Sequence, residues 1–348
     1  MTEVKVHGTR LSDPPGAGVV WHCVVPRVLA IGVWTERSEG RGEDAPPLFT
    51  HLMPDGEGML GVFDGLGGAG AGASCELPDG TRRSGAWVAA RLVRAGVEEW
   101  FGDRSGARTP VRTPDSLREH LTGLLTGVPA PPRGKIVSRM RRWLPTTMAV
   151  SCYRLDGEEA ECRTLWAGDS RAYALSPGRG LQALTRDHTE ETDGLRQLTQ
   201  DPPMTNMISA DQEFVIDSHT LRLPLPCVLI CATDGFFGYV ETPAHFECHL
   251  LSTLQAAHDE LDWAERLARL VSGYTGDDAS LSLAALGYAD FARLRTDFAG
   301  RALETGTRYR AAGDPTEPEW RSRAWDDYRP AYERLMPPLK EQPVKERM

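Results

Sequence analysis

At 348 residues, 41% hydrophobic and 25% charged, the chain has the make-up of a folded globular protein, and its length suits one large domain with additions better than two equal domains. A net charge of −10 excludes general binding to phosphate backbones, and no apolar run approaches the roughly 20 residues that cross a bilayer, so neither nucleic acid nor membrane is an expected partner. Met1 to Arg10 lacks the apolar stretch of a signal peptide, which makes the cytosol the expected compartment.

In chain order, residues 1–27 read as an N-terminal segment. Val28 to Trp34 and Met59 to Phe63 are apolar runs of strand length stopped by turn signals. Ser84 to Phe101 places Trp87, Val88, Val93, Val97 and Trp100 on roughly one helical face, and Pro114 to Leu125 repeats Leu117, Leu121 and Leu124. Stretches 102–113 and 129–145, rich in Pro, Gly and Arg, read as surface loops. Met148 to Arg154, Thr164 to Ala167, Ala172 to Leu175, Cys227 to Ala232 and Leu281 to Leu286 read as further strands. Thr242-Pro243 suits the cap and first turn of a helix carrying Phe246, Leu250 and Leu254, and Trp263, Leu267 and Leu270 resume the pattern after a break near Asp259. Strands in runs with helices in pairs between them favour sheets packed on each other and covered by helices. Residues 289–348 are charged and Pro-punctuated, and read as a helical extension in which Trp325, Tyr328 and Tyr332 share a face that packs on the parent domain. The seven cysteines stand singly, without C-x-x-C pairs, and read as core thiols.

The strongest regularity is chemical. Four strand-like runs meet acids at a turn: Phe63-Asp64-Gly65, Gly168-Asp169-Ser170, Thr233-Asp234-Gly235, and Gly276-Asp277-Asp278 ahead of the last strand. A terminal carboxylate projects from a sheet edge, and several converging there offer the all-oxygen set that hard divalent cations take. Glycine after the acid lets a backbone carbonyl approach as a further ligand. One Asp-Gly alone reads as a simple turn. Spacing by itself indicates an oxygen-rich metal site and no more.

The ordered series Phe63-Asp64-Gly65-Leu66-Gly67-Gly68, Gly168-Asp169-Ser170-Arg171-Ala172-Tyr173, Leu184-Thr185-Arg186-Asp187-His188-Thr189, Thr233-Asp234-Gly235 and Asp277-Asp278-Ala279-Ser280 resembles the motifs of the metal-dependent type 2C serine/threonine protein phosphatases, bacterial type. Gly40-Arg41-Gly42-Glu43-Asp44 is similar to that family's early Glu-Asp element. The likeness runs from about residue 28 to 287, which sets the expected catalytic domain at 28–288. It implies an α+β fold, a four-layer α-β-β-α sandwich of two central antiparallel sheets flanked by helix pairs.

The resemblance also implies two manganese or magnesium ions. Asp64 would bridge them, with Glu43 and the Gly65 carbonyl on one and Asp234 and Asp277 on the other, while Asp44 would hold waters beside them. Asp169 matches a third, weaker ion site. Two such ions lower the pKa of a shared water and neutralise phosphoryl oxygens, and the expected substrate is a phosphoprotein, such as a serine/threonine kinase or its targets.

The chain departs from the family pattern in three places. Leu66 stands where a general-acid histidine is common, Gly238 replaces a second acid of the third ion site, and Glu39 sits at the usual phosphate-clamping arginine, leaving Arg41 as the clamp. Asp278 matches an asparagine, so Asp278→Asn is expected to be nearly silent. His188 is expected to pack in place, and Arg171 to serve a local carboxylate. Leu66, Gly238 and the aromatic tail motivate the alternative of a catalytically weak phosphatase-fold module that binds a phosphoprotein or kinase. Cysteine-based phosphatase chemistry, an Asp-x-Asp nucleophile and a Gly-Lys-Ser/Thr phosphate loop are absent from the sequence.

Overall fold

The structure is a computed structural model that describes residues 3–4, 9–10, 18–53, 55–67, 74–77, 80–103, 112–129, 142–200, 202–310 and 313–339. Most of the two surface stretches read from the sequence, and Gly68, lie outside the described residues. The strands are β1 (Glu3–Val4), β2 (Thr9–Arg10), β3 (Val19–Val25), β4 (Val28–Thr35), β5 (Leu48–Leu52), β6 (Glu57–Val62), β7 (Ser74–Glu76), β8 (Arg82–Ser84), β9 (Met148–Asp156), β10 (Glu159–Ala167), β11 (Arg171–Ser176), β12 (Gly180–Ala183), β13 (Asp217–Pro224), β14 (Cys227–Ala232) and β15 (Ala279–Leu286). One sheet has the order β1-β5-β6-β9-β10-β13 and the other β12-β11-β14-β15-β4-β3-β2, with β7 and β8 as a separate pair. All pairings are antiparallel.

The helices are α1 (Gly85–Gly102), α2 (Pro114–Thr126), α3 (Gly194–Gln200), α4 (Asp234–Phe237), α5 (Pro243–Ala256), α6 (Glu260–Ser272), α7 (Phe291–Thr305) and α8 (Pro318–Tyr332). Side-chain oxygens start several of them: Ser84 accepts from the Trp87 amide, Thr113 and Ser116 cap each other reciprocally, and Asp259 and Asp290 accept from Asp262 and Arg293. Thr242 occupies the cap position of α5, but its hydroxyl meets His245 Nδ1 at 3.0 Å instead of capping the backbone.

Strand alternation divides the interior into three apolar layers, as the four-layer α-β-β-α sandwich requires. Leu29, Ile31 and Val33 of β4, Val228 and Ile230 of β14, and Leu281 and Leu283 of β15 face α5 and α6. Ala30, Leu229, Cys231, Ala284 and Leu286 point the other way, to meet Leu60, Val62 and Ala149 of the second sheet. Met59, Met148, Val150 and Leu165 then face Val93, Val97 and Trp100 of α1 and Leu117 and Leu121 of α2. Strands buried on both faces read as continuous apolar runs, which explains the sequence texture.

Two glycines make room for an aromatic ring on the neighbouring strand of the same sheet. A Cβ on Gly32 would lie 2.1 Å from Trp21 Cε2, and one on Gly58 2.2 Å from the Tyr153 ring, so only hydrogen fits under either aromatic.

Two sequence expectations need correction. Strand β3 lies inside the stretch 1–27 yet pairs along its length with β4, so the sheet begins ahead of the boundary drawn at residue 28. Trp87 and Val88 are only half-buried, and the core face of α1 is Ala86, Ala89, Ala90, Val93, Val97, Trp100 and Phe101. The stretch after residue 289 is helical over α7 and α8, and as expected its aromatic face packs on the parent domain: Phe298, Trp320, Trp325, Tyr328 and Tyr332 join the same apolar cluster as the seven-stranded sheet. A fully buried carboxylate fixes that junction. Glu247 of α5 accepts from Arg301 (2.6 and 3.0 Å), the Tyr328 hydroxyl (2.5 Å) and the Leu181 amide (3.2 Å), a set that satisfies a charge deprived of water.

Candidate metal centre

Antiparallel pairing brings the acids to one edge. In the seven-stranded sheet Thr35 at the end of β4 pairs with Ala279 at the start of β15, Leu281 pairs with Ala232 at the end of β14, and Ala232 pairs with Arg171 at the start of β11. Glu43 and Asp44, Asp277 and Asp278, Asp234, and Asp169 all follow or precede these ends. In the other sheet Val62 at the end of β6 pairs with Ala149, next to Met148, which pairs with Ala167 at the end of β10. Asp64 therefore leaves at the matching edge. The Asp64 carbonyl is fixed by the Thr147 amide (3.0 Å) and the Thr146 hydroxyl (2.5 Å).

The loop from Glu36 to Asp44 is held by two carboxylates. Glu36, itself buried, accepts from the amides of Gly42 (2.9 Å) and Gly40 (2.8 Å). Asp278 accepts from the amides of Arg37 (2.8 Å) and Glu43 (2.6 Å), one on each oxygen. Glu43 then lies against the Asp64-Gly65-Leu66-Gly67 turn. A Cβ at Gly67 would stand 1.8 Å from Glu43 Oε2, and one at Gly65 2.6 Å from the Glu43 carbonyl oxygen. Ser84 donates to Glu43 Oε1.

The two bonds to Asp278 overturn the expectation that Asp278→Asn is silent. An amide keeps one acceptor and turns its NH2 toward the other N–H, leaving a mismatch worth roughly 1–3 kcal/mol. The Asp278→Asn protein is expected to need about tenfold more manganese for half-maximal turnover, since Glu43 loses its anchor. An unchanged manganese titration would show that the loop is held without Asp278.

Burial and shared charge dominate the electrostatics. Asp44 is 2% exposed and accepts from Thr233 Oγ1 at 2.9 Å. Burial, then the Asp278 charge, pushes Asp44 up to about 7. Burial and Asp277 push Asp234 up to about 7, and burial and Asp234 push Asp169 up to about 8. Asp64 is driven well above the usual carboxylate range by burial, then by Asp44, Asp234, Asp169 and Asp277. Glu43 is raised by burial, opposed by Ser84, with Asp278 and Asp277 adding to the rise. Asp277 is exposed, and its Oδ1 accepts from the Asp278 amide at 2.8 Å.

The donor set is all oxygen, the carboxyls repel one another, and Asp169 Oδ1 is buried without a hydrogen-bond partner. Such an arrangement suits a hard dication, so these residues fit manganese or magnesium. Among the described residues no group of three or more His, Cys, Asp or Glu side chains is placed to hold a metal ion.

Other expected site residues fall as follows. Arg41 is exposed at the rim. Leu66 is half-buried beside Gly65 and brings no titratable group. Gly238 donates its amide to the Asp234 carbonyl at 2.5 Å and supplies no carboxylate. Arg171 grips Asp187 with contacts of 2.9, 3.1 and 2.7 Å, and His188 is fixed by the Gly168 amide, Asn206 and Asp217, as a packed residue is.

Sequence reasoning missed Arg91, which donates to the carbonyls of Glu43 (3.1 Å) and Gly42 (3.4 Å) while its guanidinium lies 3.9 Å from the Trp87 ring centroid. Burial lowers it to about 10. Its spacing of four residues from Trp87 gives a stacking signal, but only placement of α1 against the Glu43 loop gives it a role.

No family model matches the sequence, and no curated protein shows significant similarity to it. Solved structures do. A bacterial serine phosphatase is 18% identical with a TM-score of 0.52, over 74% of this chain and 97% of that one. The serine/threonine phosphatase PstP/Ppp of Mycobacterium tuberculosis is 15% identical with a TM-score of 0.50, over 75% and 99%. Stp1 from Staphylococcus aureus is 16% identical with a TM-score of 0.50, over 76% and 96%. At such identities the likeness is one of architecture, and the architecture is that of the bacterial type 2C serine/threonine phosphatases.

Proposed function

We propose that the chain hydrolyses phosphoserine and phosphothreonine in proteins, by a water activated between two divalent cations. The observation that carries this reading is the convergence of Asp44, Asp64, Asp169, Asp234 and Asp277 at one edge of a phosphatase fold, with Asp64 feeling the charge of the other four. Glu43, Asp64, the Gly65 carbonyl, Asp234 and Asp277 would hold two manganese or magnesium ions, and Asp169 a third whose shell Gly238 leaves short. When bound, such a pair supplies a more acidic water and charge neutralisation at the phosphoryl group.

The remaining roles belong to this chain's own side chains. Asp64, between Asp44 and Asp234, fixes the spacing of the two halves of the site. Asp44, oriented by Thr233 Oγ1, takes a hydrogen bond from the attacking water and directs its lone pair at phosphorus. Arg41, exposed at the rim, engages the phosphoryl oxygens as the substrate enters. The P–O bond to the serine breaks in line, and with Leu66 offering no proton the leaving oxygen takes one from solvent.

The substrate is a phosphoprotein, such as a serine/threonine kinase or one of its targets. The cytosol is the proposed compartment, because all seven thiols are free and a reducing environment preserves them. No helix among the described residues is long and apolar enough to cross a membrane.

A second reading, a weak phosphatase-fold module that binds a phosphoprotein or kinase, is favoured by Leu66, which brings no titratable group to the site. Hydrolysis of a chromogenic aryl phosphate separates the two. The enzyme reading expects turnover with manganese and none in chelator, whereas a module leaves the ester intact in both. Full activity in excess chelator contradicts the two-ion reading.

A further inference from the structure

The two turns that carry Asp234 and Asp277 are clasped together. Tyr274 Oη donates to the Phe236 carbonyl at 2.6 Å, and a Cβ on Gly235 would stand 2.0 Å from the Asp278 carbonyl oxygen. A third contact closes the clasp at the surface. A Cβ on Gly276 would lie 2.9 Å from Tyr239 Cε1, 3.3 Å from its Cζ and 3.4 Å from its hydroxyl oxygen, so the ring edge rests on the glycine that precedes Asp277. Despite that contact Tyr239 is 44% exposed, and among the described residues no other Phe, Tyr or Trp is exposed.

The surroundings make this a rim position. Asp277 is the exposed member of the acid cluster, whereas Glu43, Asp64, Asp169, Asp234 and Asp278 are half-buried and Asp44 is buried, so the cluster meets solvent at Asp277. Asp278 accepts from the Arg37 amide at 2.8 Å, which brings the loop bearing the exposed Arg37 and Arg41 to the same opening. The opening is thus flanked by cations that suit phosphoryl oxygens and by one planar apolar surface that does not. A phosphoserine side chain is short, so the polypeptide carrying it has to run across this rim while the ester reaches the acids. A tyrosine ring held by its edge offers that polypeptide a large, rigid contact at little cost in conformational entropy.

We propose that Tyr239 is a specificity-determining residue, whose exposed ring receives the polypeptide flanking the phosphoserine and so favours protein esters over small ones. This assignment rests on the function proposed above and adds to it the part of the substrate that lies outside the phosphoryl group.

The test compares full-length wild type with Tyr239→Ala, with Tyr239→Phe, which keeps the ring, and with Leu303→Ala, which trims a 73% exposed side chain on α7. Turnover with manganese is measured on a phosphoserine peptide and on a small aryl phosphate. The ratio of peptide to aryl phosphate kcat/KM is expected to fall about tenfold in Tyr239→Ala, chiefly through the KM for peptide, because contacts remote from the reacting atoms act in binding. Tyr239→Phe and Leu303→Ala are expected to keep the wild-type ratio to within about twofold. Taking the ratio removes any loss common to both substrates, such as a loosened Asp277 turn. An unchanged ratio in Tyr239→Ala, or an equal fall in Leu303→Ala, overturns the proposal. The same proteins are titrated into a fluorescent peptide in which a methylene replaces the ester oxygen of phosphoserine, with anisotropy as the readout, and Tyr239→Ala is expected to bind about tenfold more weakly than wild type. Wild type that hydrolyses neither ester overturns the function proposed above, and anisotropy then decides the contact by itself; equal binding by wild type and Tyr239→Ala, or none by wild type, overturns the contact.

Discussion

Asp64→Asn is expected to lower turnover at least about a thousandfold, the scale on which losing one preorganised charge is felt at a reacting centre. Asp64 lies within the electrostatic influence of Asp44, Asp234, Asp169 and Asp277, so its charge is felt across the whole acid cluster. In the proposed two-ion site, an asparagine there would remove a full negative charge from the residue that would hold both ions. In the ion-free protein, however, burial and the neighbouring acids favour the protonated form of Asp64, and asparagine is close in shape to a protonated aspartate. The variant should therefore melt in chelator at or above the wild-type temperature, which separates lost chemistry from lost fold. Asp234→Asn and Asp277→Asn weaken one ion each and should be partly rescued by more manganese, because mass action refills a weakened site. Asp169→Asn, at a site already short of a ligand at Gly238, should lower turnover modestly. Turnover of Asp64→Asn within tenfold of wild type at saturating manganese, or milder damage than from Asp169→Asn, would show that the acids are ranked wrongly.

Ion-free protein is expected to lose stability as pH rises from about 5 to 8, and manganese is expected to reverse that trend. Asp44, Asp64, Asp169 and Asp234 hold their protons more tightly folded than unfolded, with Asp44 and Asp234 at about 7 and Asp169 at about 8. Their contribution is fully present below about 4, where both states are protonated, and disappears as pH climbs through the folded values. A dication competes with those protons, so its binding releases them and grows stronger with pH. Melting temperature in chelator should fall by several degrees from pH 5.5 to pH 8, and the rise produced by manganese should be larger at pH 8. A manganese effect equal at both pH values, or larger at pH 5.5, would falsify the picture of a proton-held acid cluster.

Much of the frame was legible because strands β4, β6, β14 and β15 are buried on both faces and so read as apolar runs bounded by an acid and a turn. Other strands hid for identifiable reasons. β3 joins β4 through Pro26-Arg27, with Arg27 at φ 67° in place of glycine or asparagine, so no turn signal marks the hairpin. β13 is an edge strand whose Ser218, Thr220 and Arg222 are exposed, and its composition looks like loop. β5 carries Thr50 and His51 into the core, where His51 Nδ1 meets the Tyr153 hydroxyl at 3.0 Å.

At the site, the ligand types and their order along the chain were visible, whereas the supports were not. Asp278 and Glu43 are 235 residues apart, and Trp325 and Asp193 are 132 apart. Bonds of that separation are set by topology, and a motif reading assigned Asp278 to a silent position because it compared residue types rather than partners.

The most direct measurement of the central claim is release of inorganic phosphate from phosphoserine and phosphothreonine peptides by chelator-stripped protein as manganese is added stepwise. The account predicts no release without the ion, a saturable rise with it, and background release from Asp64→Asn at each concentration. Phosphate release that is indifferent to manganese, or none from wild type at any concentration, would contradict it.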